Sequence, residues 1–205
     1  MSKERAKKIK LILFDVDGVL TDGTIWLFPA PAGSEQQQKS AIEARAGSAG
    51  FGIASASMIE AKGFSAHDGT GITLARFAGL KTGIITKRIS ETVALRARDL
   101  KVDHVFQGQA DKSAALDAIL KKEGLREEEV AFVGDDIVDL PVMRRVGLAV
   151  AVANAREQVK DESHLITDHD GGKGAARDVV EYILAAQERL DQIVEAYIKS
   201  RPAEQ

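Results

Sequence analysis

Two carboxylates one residue apart close the run Leu11-Ile12-Leu13-Phe14-Asp15-Val16-Asp17-Gly18. An apolar strand delivers them to its own carboxyl end, which in an open parallel sheet is where ligands bind. Such a pair can hold a cation, attack an electrophile or manage a proton. Alone it could equally be a turn, because aspartate is a common turn former. A second run, Val130-Ala131-Phe132-Val133-Gly134-Asp135-Asp136-Ile137-Val138-Asp139, repeats the plan of strand, glycine and acids. If the two strands are neighbours, Asp15, Asp17 and Asp135 gather around one point. Carboxylates that close stay ionised only beside a cation, and hard oxygen ligands with room for water suit Mg²⁺. One of Asp135 and Asp136 could instead cap the following helix, but capping gives no reason for acids at two strand ends. Two further stations could bind an anion. Thr82-Gly83-Ile84-Ile85 ends in Thr86-Lys87-Arg88, where a hydroxyl and the N–H groups of a helix start could meet phosphate oxygens, and Lys112 opens a later helix.

The elements that must position these groups alternate along the chain. Strand-like apolar runs recur at 11–14, 82–86, 104–106, 130–133, 149–152 and 165–166, and helical patterns fill the longer gaps at 90–100, 113–123, 139–146 and 175–198. Alternation of this kind means βαβ units and a parallel sheet. The segment 29–63 breaks the pattern, being rich in Ala, Gly, Ser and Gln. It reads either as a flexible surface insertion or as a projecting hairpin, with Thr24 to Phe28 leaving and Ala56 to Phe64 returning. With 205 residues, 44% of them apolar, the chain suits one domain over 1–205 with a flap and insertion at about 24–64. A formal charge of −3 gives no electrostatic case for nucleic acid or an anionic membrane. The absence of cysteine excludes disulfides, thiolate chemistry and cysteine zinc sites. The basic, polar opening 1–10 has no signal-like apolar core behind it, so a soluble, cytoplasmic protein is expected.

The order DVDGVLTDG, IITKR, QADKS and GDDIVD resembles the haloacid dehalogenase-like phosphohydrolases. That resemblance implies an α/β, Rossmann-like parallel sheet with helices on both faces. It implies an Asp15 nucleophile that forms an aspartyl-phosphate, and an Asp17 general acid and base, the residue that favours phosphatase over dehalogenase members. Mg²⁺ would be held by Asp15, the backbone carbonyl of Asp17, and Asp135, with Asp136 one layer behind and Asp139 orienting the loop. Thr86 and Lys112 match its phosphate-binding residues.

Between the first two motifs there is no helical domain, so the chain resembles the branch without a large cap. Glu60-Ala61-Lys62-Gly63-Phe64, His67-Asp68-Gly69 and the late run Gly171-Gly172-Lys173-Gly174 narrow the resemblance to members acting on phosphorylated sugar acids. An eight-carbon octulosonate 8-phosphate is expected ahead of a nine-carbon sialic-acid-type 9-phosphate. A non-catalytic binding protein that kept the fold is the reading from another class, against which Asp15 and Asp17 stand. The resemblance further implies a homotetramer with flap-mediated contacts, and sugar-acid contacts from Lys62, His67 and Asp68, though Lys62 and His67 could be ordinary exposed hairpin groups. Three features depart from the pattern: the insertion at 29–57, Lys87 in place of glycine, and His67 in place of arginine. A mostly neutral imidazole attracts a carboxylate less strongly than guanidinium does.

Overall fold

In chain order the strands of the computed structural model are Leu11–Phe14 (β1), Trp26–Pro29 (β2), Met58–Ala61 (β3), Lys81–Ile85 (β4), His104–Phe106 (β5), Val130–Gly134 (β6), Leu148–Ala151 (β7) and Leu165–Ile166 (β8). The structure describes residues 2–33 and 57–200. The helices are Ser2–Ala6 (α1), Ala66–Phe77 (α2), Glu91–Asp99 (α3), Lys112–Glu123 (α4), Leu140–Met143 (α5), Glu157–Asp161 (α6), Ala175–Ala186 (α7) and Leu190–Lys199 (α8). Six strands form one parallel sheet in the order β5-β4-β1-β6-β7-β8, flanked by helices, as the alternating pattern requires. Strands covered on both faces need continuous apolar sequence, and every residue of β1, β6 and β7 is buried.

The topology places the acids. From β1 the chain moves outward to β4 and β5, then crosses to the other side of β1 for β6, β7 and β8. Phe14 is in register with Ile84 on one side and Val133 on the other. Asp15 therefore leaves the sheet level with Ile85 and Gly134, one residue before Thr86 and Asp135, where the direction of winding reverses and a crevice opens at the strand ends.

β2 and β3 pair antiparallel as a separate two-stranded ribbon, Trp26 opposite Ala61 and Pro29 opposite Met58. Most of the expected insertion, residues 34–56, lies outside the described residues. No described helix is long and apolar enough to cross a membrane.

Three expectations about helices need correction. The apolar spacing over 175–198 predicts one helix, but the structure has two, because Glu188 takes a left-handed φ of 59°. Tertiary bonds compensate for the interruption: Gln187 Nε2 donates to the carbonyl of Ile9 at 2.9 Å, and Arg189 Nη2 to that of Ala78 at 2.6 Å. The segment 139–146 forms only the short α5, preceded by a 3₁₀ turn over Ile137–Asp139. Finally, α2 stands where sequence reasoning assigned no helix; Ser65 caps it, accepting from the N–H of His67 at 3.2 Å.

Candidate active site

Asp15 ends β1 with both carboxylate oxygens engaged. Oδ1 accepts from the N–H of Val16 at 2.7 Å, and Oδ2 lies 2.8 Å from Lys112 Nζ. The same ammonium donates to Asp139 Oδ1 at 2.6 Å, so one buried lysine joins two buried carboxylates. Asp139 Oδ2 accepts from the N–H of Asp135 at 3.0 Å and of Asp136 at 3.4 Å, pinning the turn after β6. Asp136 is exposed and accepts from the N–H of Ile137 at 2.7 Å, capping the 3₁₀ turn.

Carboxylate oxygens of Asp15, Asp135 and Asp139 lie within 4.8 Å of one another. Burial, then Asp139, pushes the Asp15 carboxyl up to about 7 against the opposing pull of Lys112. Burial, then Asp139 and Asp15, pushes Asp135 up to about 8. Asp135 Oδ1 is buried with no hydrogen-bond partner among the described residues. A buried, unpartnered acceptor beside two more carboxylates is a strained arrangement that a divalent cation would relieve. Asp139 has less to offer such an ion, since both its oxygens already hold donors. A Cβ at Gly18 would overlap the Asp135 carboxylate, so glycine there lets the β1 loop close on the cluster.

The carboxylate of Asp17 belongs to a second network. Lys62 Nζ contacts Asp17 Oδ1 and lies 3.7 Å from Glu60 Oε1, while Arg88 sits 3.6 Å from Asp17 Oδ2 and donates to Glu60 Oε2 at 3.1 Å. The Lys62 side chain is fully buried, so it is no ordinary exposed hairpin group. Sequence reasoning missed Glu60 and Arg88 as members of this network. For Glu60 the available signal was its i, i+2 spacing from Lys62, which in an extended segment puts both on one face; for Arg88 the spacing offers none.

Thr86 is buried; its N–H donates to the carbonyl of Phe106 at 2.9 Å, and its hydroxyl accepts from the N–H of Arg88 at 3.3 Å. The N–H groups near it are those of a loop, because α3 begins only at Glu91.

Over 188 residues the chain is 36% identical to the 3-deoxy-D-manno-octulosonate 8-phosphate phosphatase KdsC of Yersinia pestis, covering 92% of this chain and 86% of that one. Residues 83–177 match the pattern described as haloacid dehalogenase-like hydrolase. The chain belongs to the haloacid dehalogenase-like hydrolases. The crystal structure of the Moraxella catarrhalis 3-deoxy-D-manno-octulosonate 8-phosphate phosphatase, in complex with magnesium ion, phosphate ion and a KDO molecule, superposes with a TM-score of 0.78. It is 35% identical, over 95% of this chain and 97% of that one. A probable yrbi family phosphatase of Pseudomonas syringae is 41% identical over 97% and 98% of the two chains, with a TM-score of 0.78.

Within this haloacid dehalogenase-like hydrolase, the residues expected to touch a sugar acid part company. Lys62 sits on Asp17, His67 is exposed on the first turn of α2, and Asp68 is buried against α7. Asp68 Oδ2 accepts from the N–H of Gly174 at 3.3 Å and Oδ1 from that of Arg177 at 3.2 Å. Burial raises its carboxyl above the ordinary range, and the N–H groups of Arg177 and Gly174 partly offset this. Both oxygens of Asp68 are thus turned to backbone N–H groups at the start of α7.

Proposed function

We propose that this phosphoric monoester hydrolase releases phosphate from 3-deoxy-D-manno-octulosonate 8-phosphate, a step towards lipopolysaccharide precursors. Asp15 attacks phosphorus in line, an Asp15–phosphorus bond forms as the ester P–O bond breaks, and Asp17 gives its proton to the departing sugar oxygen. Water then attacks the aspartyl-phosphate, Asp17 takes the water's proton, and phosphate leaves with Asp15 restored. Lys112 and Thr86 steady the phosphoryl oxygens, the main demand of a reaction dominated by positioning and charge neutralisation. Mg²⁺, held by Asp15, Asp135 and the carbonyl of Asp17, would supply further neutralisation at those oxygens. The observation that carries the reading is the buried oxygen of Asp135, without a partner among the described residues, beside an Asp15 already joined to Lys112.

For the substrate, support comes from the relatives and from Lys62 and Arg88, two cations beside the group that would protonate the leaving sugar. Arg88, only partly buried, is the one of the two that a carboxylate on that sugar would reach beside the proton donor. Kinetics on a panel of phosphate monoesters tests the assignment: kcat/KM for the octulosonate ester is expected to exceed that for a sialic-acid-type 9-phosphate by about tenfold or more, about 1.4 kcal/mol in barrier. A tenfold preference for another ester would overturn it.

The reading extends to a cytoplasmic homotetramer closed by its ribbons. On β2 and β3, Trp26, Leu27, Phe28 and Ile59 are all exposed, an apolar surface suited to burial against another subunit. Light scattering on the assayed enzyme is expected to give the mass of four chains; a monomer with full activity would remove the ribbon from the mechanism.

A further inference from the structure

The glycine run 171–174 lies directly behind the loop that carries Asp15 and Asp17. The N–H of Gly172 donates to the carbonyl of Val19 at 2.8 Å. A Cβ at Gly171 would overlap the carbonyl of Gly18, and one at Gly172 would come within 2.5 Å of the Asp22 nitrogen and the Thr21 carbonyl carbon. The two stretches of backbone are therefore in contact with no side chain between them. Gly18 in turn abuts the Asp135 carboxylate, so a displacement of the run would reach both halves of the acid cluster.

A glycine-rich segment has many conformations to lose, and something must hold it in one. Side chains do so at both ends. Asn154 Oδ1 accepts from the N–H of Gly171 at 2.9 Å. At the other end Gly174 is the N-cap of α7 and has no side chain with which to cap it. Asp68 supplies the missing acceptors from α2, taking the N–H of the cap residue and that of Arg177 in the first turn. The approach that permits this is close, since a Cβ at Gly71 would fall 2.7 Å from the Arg177 Cα.

We infer that Asp68 and Asn154 are positioning residues that clamp the glycine run as a brace behind the Asp15–Asp17 loop. Neither needs to touch the substrate. The clamp acts through backbone, so its effect falls on the attack geometry, and it is the same for every phosphate ester the site accepts. Small errors in that geometry are expensive, and a displacement of about 1 Å can lower a rate by about a hundredfold.

The inference rests on the phosphomonoesterase reading for its activity readout, so the assay uses p-nitrophenyl phosphate beside the octulosonate ester. Asp68→Asn keeps one acceptor and Asp68→Ala keeps none, while Asn154→Ala loosens the run from its other end. Expected are kcat values falling in the order wild type, Asp68→Asn, Asp68→Ala. The Ala variant should lose about tenfold or more, by the same factor on both esters, with KM unchanged within about twofold. Asn154→Ala should show the same kcat signature, which keeps the test alive if Asp68→Ala does not fold. Amide hydrogen exchange in the peptide spanning residues 16–23 is expected to accelerate in each folded variant. Wild-type kcat and exchange in folded Asp68→Asn and Asn154→Ala would overturn the clamp. So would a KM rise confined to the sugar-acid ester, which would make Asp68 a substrate contact. A wild-type enzyme that hydrolyses neither ester would instead refute the phosphomonoesterase reading, while the exchange measurement would still judge the clamp.

Discussion

Asp15→Asn is expected to abolish phosphate release while leaving a folded protein. The substitution keeps the shape of the side chain and removes the oxygen proposed to attack phosphorus, and loss of a nucleophile of this kind costs roughly four to six orders of magnitude in kcat. Stability should not follow activity down. Burial and Asp139 already push the Asp15 carboxyl up to about 7, so near neutral pH its charge is held in the metal-free fold against resistance. A neutral amide removes that repulsion, while Lys112 keeps Asp139 at 2.6 Å. Thermal unfolding of the metal-free variant at pH 8 should therefore give a Tm no lower than that of the wild type, and a phosphate-release assay should read close to its blank. Turnover within about tenfold of wild type would rule out covalent attack by Asp15.

What could be read in the sequence was whatever depends on neighbours along the chain. The runs LILF, VAFVG and LAVA are apolar without alternation because both faces of a parallel strand are covered, and all three are strands in the structure. The acids at the ends of β1 and β6 were legible for the same reason, since strand direction fixes which end they occupy. Helix α2 was not. Its buried face includes Gly69, set close against Arg96, and Gly71, set close against Arg177 of α7, and glycine in a sequence reads as loop. The break between α7 and α8 is invisible because the apolar period runs through it; the left-handed Glu188 and the contacts of Gln187 and Arg189 with distant carbonyls reveal it. The pairing of Glu60 with Arg88 likewise depends on where the ribbon lies over the sheet, which no spacing in the chain specifies. For Asp68, sequence resemblance led to the substrate, whereas the observed direction of its carboxylate leads to a helix end.

Lys112→Met should damage stability and activity together, and its pH dependence separates electrostatics from lost packing. The lysine is buried, lies 2.8 Å from Asp15 and 2.6 Å from Asp139, and its ammonium is 5.8 Å from the centre of the Phe132 ring. Methionine can fill much of the same space, but removing one partner of a buried ion pair costs about 3–5 kcal/mol, because the charges left behind are unpaired. The sign of the pH effect follows from Asp15, whose carboxyl sits at about 7 in the fold even with Lys112 present and higher without it. A carboxyl raised by folding binds more protons in the native than in the unfolded state, so stability falls as pH rises through that interval. The metal-free wild type should thus lose stability from about pH 4 towards 7, and the variant should lose more, over a window reaching further up. The deficit of the variant should be largest near pH 8 and shrink near pH 5, where Asp15 is protonated in both proteins. Mg²⁺ at pH 8 should recover part of it, because a cation among Asp15 and Asp135 replaces some of the missing positive charge, and should recover little at pH 5, where protons compete for the same oxygens. Denaturant titrations of both proteins at the two pH values, with and without Mg²⁺, measure all of this. A deficit that is the same at pH 5 and pH 8 would mean that Lys112 acts by filling space, and that the Asp15–Lys112–Asp139 bridge does not set the charge balance of the site.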